Sequence, residues 1–418
     1  MRAVTFDVTI PRYLMARSLG RVTGAVIHGR LSGVHLRQVA APKLPGNDWV
    51  RLEVIKAGIC GTDAITVGFT ASPALEPFGS FPAVLGHEIL ARVVEVGSAV
   101  RRVQPGQRVV VDPMLSCDVR GVPRALWCLS CRSGLSSTCE NAGEEGPLEI
   151  DGAPMARGLT IGYHRSLPGG WGEELVAHES QLFPVDDALD DHTAVLIEPL
   201  AIAVHAALGS PPPADGPALV IGSGPIALGT VWALRATGYQ GELLAQTRRP
   251  HEARLAERFG ASGVTTPGTA AREALVRTGA RAYKPIVGPE VYAGGGFPVV
   301  YDCVGSAESL DQALRFAAPR GRIVVLGCAA KIPSLDLTPV WSRELEVKGH
   351  VGYGLERFRG EERHTFQITH DLLMETGVPV KDLVTHVYPL AQFREGLATV
   401  MNRRRTGSIK VLLDPQAR

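Results

Sequence analysis

The sequence predicts an α/β protein in which a β-rich part is joined to a doubly wound parallel sheet, and three observations carry that prediction. Over the first 180 or so residues, short apolar runs such as Trp49 to Lys56, Ala91 to Val96 and Arg108 to Val111 are broken by Gly and Pro at close intervals, a strand-and-turn pattern. From Ala218 the pattern changes to apolar strand-like runs alternating with helical stretches, the signature of βαβ units. The last seventy or so residues return to mixed patterning.

Within the α/β part, Ala218 to Ile221 reads as a strand, Ile226 to Thr237 as a helix, Glu242 to Gln246 as the next strand and Pro250 to Phe259 as the next helix. Two further strand-turn units, Pro298 to Val304 and Gly321 to Gly327, flank a helical stretch near Glu308 to Ala318. Six such strands complete a doubly wound sheet. Pro211 to Pro213 mark a rigid connection ahead of this part, and Gly407 to Leu413 reads as a closing strand.

Composition excludes several classes. The chain has 418 residues, 45% apolar and 20% charged, with 43 basic against 42 acidic side chains. That is the profile of a folded chain with neither a nucleic-acid footprint nor an attraction to anionic membranes. No run approaches the roughly 18 apolar residues of a membrane span. The first twenty residues lack the apolar core of a secretory signal, so a cytoplasmic protein is expected. Seven cysteines are too few for a disulfide scaffold. Four of them, Cys117, Cys128, Cys131 and Cys139, are clustered, which in a reducing compartment reads as metal binding. Cys303 and Cys328 read as core residues.

Leu219 to Gly229 places Gly222 and Gly224 at a strand-to-helix turn, with Ala227 at the third position of a dinucleotide fingerprint. Gly222 permits the tight turn, Gly224 the close approach of a pyrophosphate, and a small third residue the helix–strand packing. The amides around Ser223, Gly224, Pro225 and Ile226 then present a helix N-terminus to phosphate, with the one exception that Pro225 has no N–H to offer. About 20 residues further on, where an NAD site carries Asp or Glu, the strand ends in Thr247-Arg248-Arg249. Two guanidiniums suit a 2′-phosphate, so NADP(H) is expected over NAD(H). Val304 lies at a strand end of the same sheet, where ligands bind.

Three stretches supply metal-ligand chemistry: Cys60-Gly-Thr-Asp63, Gly86-His-Glu88 and Glu198-Pro-Leu200. A thiolate, an imidazole and a carboxylate are the donor types of a catalytic zinc. These stretches, the cysteine cluster, Gly222 to Ile226, Tyr301 to Gly305 and the terminal Ser408 to Val411 occur in the order found in the zinc-containing medium-chain alcohol dehydrogenases. The resemblance runs from about Val22 to Leu413. It is nearest the branch of sorbitol, threonine and glucose dehydrogenases, which similarly carries Glu-Pro-Leu.

The resemblance implies a GroES-like β-rich catalytic domain over 1–198 and 351–418, with an N-terminal extension over 1–21 and a structural zinc lobe over 117–139. A Rossmann domain is implied over 199–350. It implies Cys60, His87 and Glu198 as ligands of a catalytic zinc, Glu88 as a fourth or transient ligand, and Asp63 behind a ligating imidazole. Thr62 matches the family's proton-passing hydroxyl, although Ile65 stands where the family often has the next relay histidine. Of the expected lobe cysteines, Cys128, Cys131 and Cys139 match, whereas Ala125 occupies the first position and Cys117 is its replacement if the inserted Asp118 to Trp127 segment folds back.

The implied activity is zinc-dependent hydride transfer between NADP(H) and a secondary alcohol, polyol or sugar and its carbonyl, in a homo-oligomer (dimer or tetramer) acting on a small molecule. Two alternatives are a zinc-independent medium-chain reductase of conjugated carbonyls and a non-catalytic NADPH-binding protein.

Overall fold

The computed structural model describes residues 1–20, 22–328, 331, 332 and 334–417, so Arg21 of the expected N-terminal extension lies outside the described residues. The chain divides into two compact units: Met1–Glu198 with Tyr353–Leu355 and Lys381–Arg418, and Pro199–Gly352 with Glu356–Val380. The expected boundary therefore shifts, since 356–380 groups with the second unit. Its helix Thr365–Thr376 ends where the Thr376 hydroxyl accepts from Trp232 Nε1, and Glu356 lies 2.7 Å from His205.

In the first unit, one sheet runs in the order Leu182–Pro184, Arg108–Val111, Ile89–Val96, Trp49–Ile59, Lys410–Asp414 and Val384–Pro389, with Glu174–His178 also paired to Trp49–Ile59. Val50, Leu52 and Val54 alternate inward along the long central strand, the period-2 burial of a half-buried strand. The closing strand begins at Lys410, three residues later than the predicted Gly407, because Gly407 takes the left-handed position that ends a short helical turn.

Arg2–Phe6, within the expected N-terminal extension, is a strand of the first unit. It pairs antiparallel with Val34–Gln38 and with Ala83–Val84, and buries Ala3, Val4 and Phe6 completely or nearly so. Helix Ile10–Leu19, capped by Thr9 with Pro11 in its first turn, lies between the two paired strands in the chain.

The second unit holds six parallel strands in the order Gly263–Thr265, Leu243–Gln246, Ala218–Ile221, Phe297–Asp302, Ala317–Val325 and Glu346–Gly349. Numbered along the chain this is 3-2-1-4-5-6, the doubly wound order whose switch point lies between the first and fourth strands. Ile221 is paired with Asp302 there. The inserted Ala280 to Gly296 segment forms an antiparallel hairpin, Arg281–Tyr283 with Val291–Ala293. Among the described residues no helix is long and apolar enough to cross a membrane.

Candidate active site

Cys60 immediately precedes helix Gly61–Val67, and its backbone N–H donates to Asp63 Oδ2 at 2.9 Å. His87 and Glu88 follow Gly86, whose φ of +94° and contact with Trp171 admit no side chain: a Cβ there would lie 2.2 Å from the indole. Trp171 is fully buried and donates through Nε1 to Gly58 O at 3.1 Å. It therefore braces the His87 turn from the core.

These elements bring ligand atoms of Cys60, His87 and Glu88 within 4.8 Å of one another. Glu198, in the first turn of helix Ile197–Gly209, is 2% exposed, and its Oε1 accepts from the Tyr353 hydroxyl. Its Oε2 and His87 Nδ1 are buried without a hydrogen-bond partner. Glu198 is not part of the group within 4.8 Å, but a buried carboxylate oxygen without a partner is an atom that a zinc ion would satisfy, whereas His87 Nδ1 faces Asp63. Burial, then the charge of Glu88, pushes the Glu198 carboxyl up to about 7. Burial disfavours the His87 imidazolium, but Asp63 and Cys60 outweigh it and raise the imidazole's pKa.

Glu88 is not idle in this arrangement. Lys410 Nζ donates to its two oxygens at 2.5 and 2.7 Å, with both side chains almost fully buried. Gly58 makes the room, since a Cβ there would fall 1.7 Å from Glu88 Oε2. As a zinc ligand, Glu88 would have to exchange that partner. Asp63 Oδ1 lies 3.6 Å from His87 Nδ1 and accepts from the Tyr163 hydroxyl at 2.7 Å. Thr62 Oγ1 lies 3.5 Å from His87 Nε2 and accepts from the same tyrosine at 3.2 Å.

A second cluster gathers one ligand atom each from Cys117, Cys128, Cys131 and Cys139 within 4.8 Å. Cys117 thus stands with the other three although Ala125 occupies the expected place. The turn that returns the chain runs from Cys117 O, which accepts from Val122 N at 2.9 Å. Four sulfurs at this separation fit a closed, tetrahedral zinc site.

In the second unit, Gly222 has φ +127°, and Gly224 caps helix Pro225–Ala236 with Pro225 in the first turn. Ser223 and Ile226 lie in this turn, and a Cβ on Gly222 would press within 3.2 Å of Ala227 and Val304. Val304 is therefore at the switch point beside the glycine loop. Thr247 is buried, Arg248 exposed, and Arg249 Nη1 donates to Glu252 Oε1 at 3.2 Å. Glu252 Oε2 also accepts from Arg248 N at 3.2 Å. The two arginines are thus unequal, Arg249 being already paired with a buried carboxylate.

Residues 46–187 match the alcohol dehydrogenase GroES-like domain and residues 225–367 the zinc-binding dehydrogenase domain. The chain belongs to the zinc-containing medium-chain dehydrogenase/reductase superfamily. Members similar to it include an L-threonine 3-dehydrogenase of Saccharopolyspora erythraea, 28% identical over 91% of this chain and 96% of that protein. An L-idonate 5-dehydrogenase of Vitis vinifera is 26% identical over 87% of each. A chain from Sinorhizobium meliloti 1021, solved bound to NADP, is 29% identical, with a TM-score of 0.68 over 93% of this chain and 98% of that one.

As a member of this superfamily the protein is a nicotinamide-dependent oxidoreductase of alcohol, polyol or carbonyl groups. Three residues of its sites were not singled out in the sequence: Tyr163, Lys410 as the partner of Glu88, and Glu252. Only Glu252 had a local signal, three residues after Arg249 in a helix N-terminal turn. The others meet their partners across long sequence separations.

Proposed function

We propose that the protein is a zinc-dependent dehydrogenase that transfers hydride between NADP(H) and a secondary alcohol, polyol or sugar. The observation that carries the reading is the convergence of Cys60, His87 and Glu88, with ligand atoms within 4.8 Å of one another, and the buried, unpaired Glu198 Oε2 supports Glu198 as a further ligand. Cys60, His87 and Glu198 hold the ion, and Lys410 keeps Glu88 in reserve. Bound there, zinc supplies Lewis acidity toward an alcohol or carbonyl oxygen.

The chain's own groups do the rest. Asp63 orients His87, a role that fixes ring position and raises ligand basicity. The Thr62 hydroxyl would accept the substrate proton while handing its own on to water, so that it stays neutral. Ile65 blocks the usual outward histidine step, and Tyr163, bonded to both Thr62 and Asp63, keeps that hydroxyl aimed. The four cysteines hold a structural zinc that takes no part in turnover. The names of the similar threonine and idonate dehydrogenases support a secondary CH–OH substrate, and seven free cysteines support a cytoplasmic setting.

NADP(H) is supported by the exposed Arg248 at the end of strand Leu243–Gln246, which carries no acid, and by the NADP bound to the similar S. meliloti chain. The test is initial-rate measurement with NADP+ and NAD+ over a panel of polyols, sugars and secondary alcohols. NADP+ should give the higher kcat/KM, and Arg248→Ala should lower it roughly tenfold for NADP+ alone, the worth of one charge-assisted contact. Faster turnover with NAD+ would overturn the cofactor assignment, and equal rates after zinc removal would overturn the metal assignment.

A further inference from the structure

Arg120 is the one arginine among the largest fully buried side chains, with no exposed surface. Its backbone lies in the turn that returns the chain from Cys117: Arg120 N donates to Ser116 O at 3.0 Å, and Gly121, at φ +72°, donates to Asp118 O at 2.9 Å. The guanidinium donates to two carbonyls, Gly158 O at 3.4 Å and Glu144 O. Among the described residues no carboxylate lies within ion-pair distance of it. A buried guanidinium without an anion carries a large desolvation cost, and carbonyl dipoles offset only part of it.

Burial disfavours the Arg120 guanidinium, and the sulfurs of Cys139, Cys117 and Cys131, ahead of the Glu144 carboxylate, oppose that effect. His164, also nearby, is held neutral at ordinary pH by burial and donates to Ala156 O at 2.9 Å. The sulfurs themselves accept from Cys117 N, Cys128 N and Cys131 N at 3.4 Å each, and from Asn141 Nδ2 at 3.2 Å. Every one of those donors is neutral. Four thiolates around a divalent ion would leave a net charge of about two minus, and Arg120 is a fully buried cation in the turn that leaves Cys117.

We infer that Arg120 is the charge partner of the four-cysteine lobe, a buried cation that offsets part of the thiolate charge and so holds the metal. This rests on the proposal that the lobe binds zinc. The lobe and its cation come as a unit: Cys117-Asp-Val-Arg120 supplies both the substitute ligand for Ala125 and the charge that accompanies it.

Two variants separate charge from carbonyl bonding. Arg120→Lys keeps the cation, whereas Arg120→Gln keeps a hydrogen-bond donor and removes the charge. Zinc per chain is counted by mass spectrometry after competition with chelators of graded affinity. Alkylation of Cys117, Cys128, Cys131 and Cys139, mapped by peptide, assigns any loss to the lobe. Arg120→Gln should weaken lobe zinc roughly 10- to 100-fold, the range for loss of an outer partner, with Arg120→Lys within about threefold of wild type. Wild-type affinity in Arg120→Gln, or equal weakening in both variants, would overturn the inference. Should Arg120→Gln not fold, Arg120→Lys decides alone: tenfold weaker zinc would overturn it and near-native zinc support it. Lobe thiols that alkylate freely in the wild type would overturn both this inference and the lobe's zinc, leaving the Cys60 centre unaffected.

Discussion

The two candidate metal centres of the first unit differ in every respect that separates chemistry from structure. The lobe offers four identical soft donors from one short stretch of chain, three of which, Cys117, Cys128 and Cys131, accept N–H···S bonds. The Cys60 centre mixes a thiol, an imidazole and carboxylates from distant parts of the sequence, leaves Glu198 Oε2 and His87 Nδ1 unpaired, and keeps Glu88 on Lys410. A closed donor shell stabilises and does nothing else, whereas an incomplete one leaves a coordination position for substrate.

The sharpest way to break the comparison is Cys60→Ser. Turnover should fall at least ~10³-fold, about 4 kcal/mol of barrier, while lobe metal and thermal midpoint stay near wild type. Full activity in metal-depleted Cys60→Ser protein would end the assignment. Lys410→Met strands the Glu88 carboxylate in the core and should cost about 3–5 kcal/mol in denaturant unfolding. Adding Glu88→Gln should recover most of that loss, and a double variant as unstable as the single one would show that the pair is not the cause.

Cys117→Ser probes the other side. With structural zinc sites worth ~10–16 kcal/mol over four ligands, one ligand carries on the order of 3 kcal/mol. Limited proteolysis should then cut first within 117–139, and each folded molecule should keep its turnover. A loss of activity without loss of the fold would merge the two centres' roles.

The smallest effect is a pH dependence beside the lobe. Burial lowers His164 to about 4 in the folded chain, against about 6.5 unfolded. As pH falls below 6.5 the unfolded state takes a proton that the folded state refuses, so stability present at neutral pH is lost between about 6.5 and 4. Between pH 7 and pH 5 the loss is about 2 kcal/mol. His164→Gln should flatten that slope in urea titrations at pH 7 and pH 5, and an unchanged slope would remove His164 from the account.

Much of this was legible before any coordinates. The 3-2-1-4-5-6 sheet follows from alternating strand and helix patterns, and the glycine loop from residues whose backbone freedom has a local purpose. Other features stayed hidden for stated reasons. That Arg2–Phe6 pairs with Val34–Gln38 and Ala83–Val84 was hidden, because those partners lie far along the chain, beyond helix Ile10–Leu19. Helix Thr365–Thr376 joined the second unit through contacts that periodicity along a chain cannot register.

By itself, the sequence determined the fold class, the phosphate-binding turn and the donor types of both centres, because each depends on side-chain chemistry and short-range spacing. Tertiary structure alone decided that Lys410 occupies Glu88, that Glu252 claims Arg249, that Tyr163 reaches Thr62 and Asp63, and that Arg120 is buried without a carboxylate. Those are questions of where charge and hydrogen-bonding capacity are satisfied once water is excluded, and only folding brings the answering groups together.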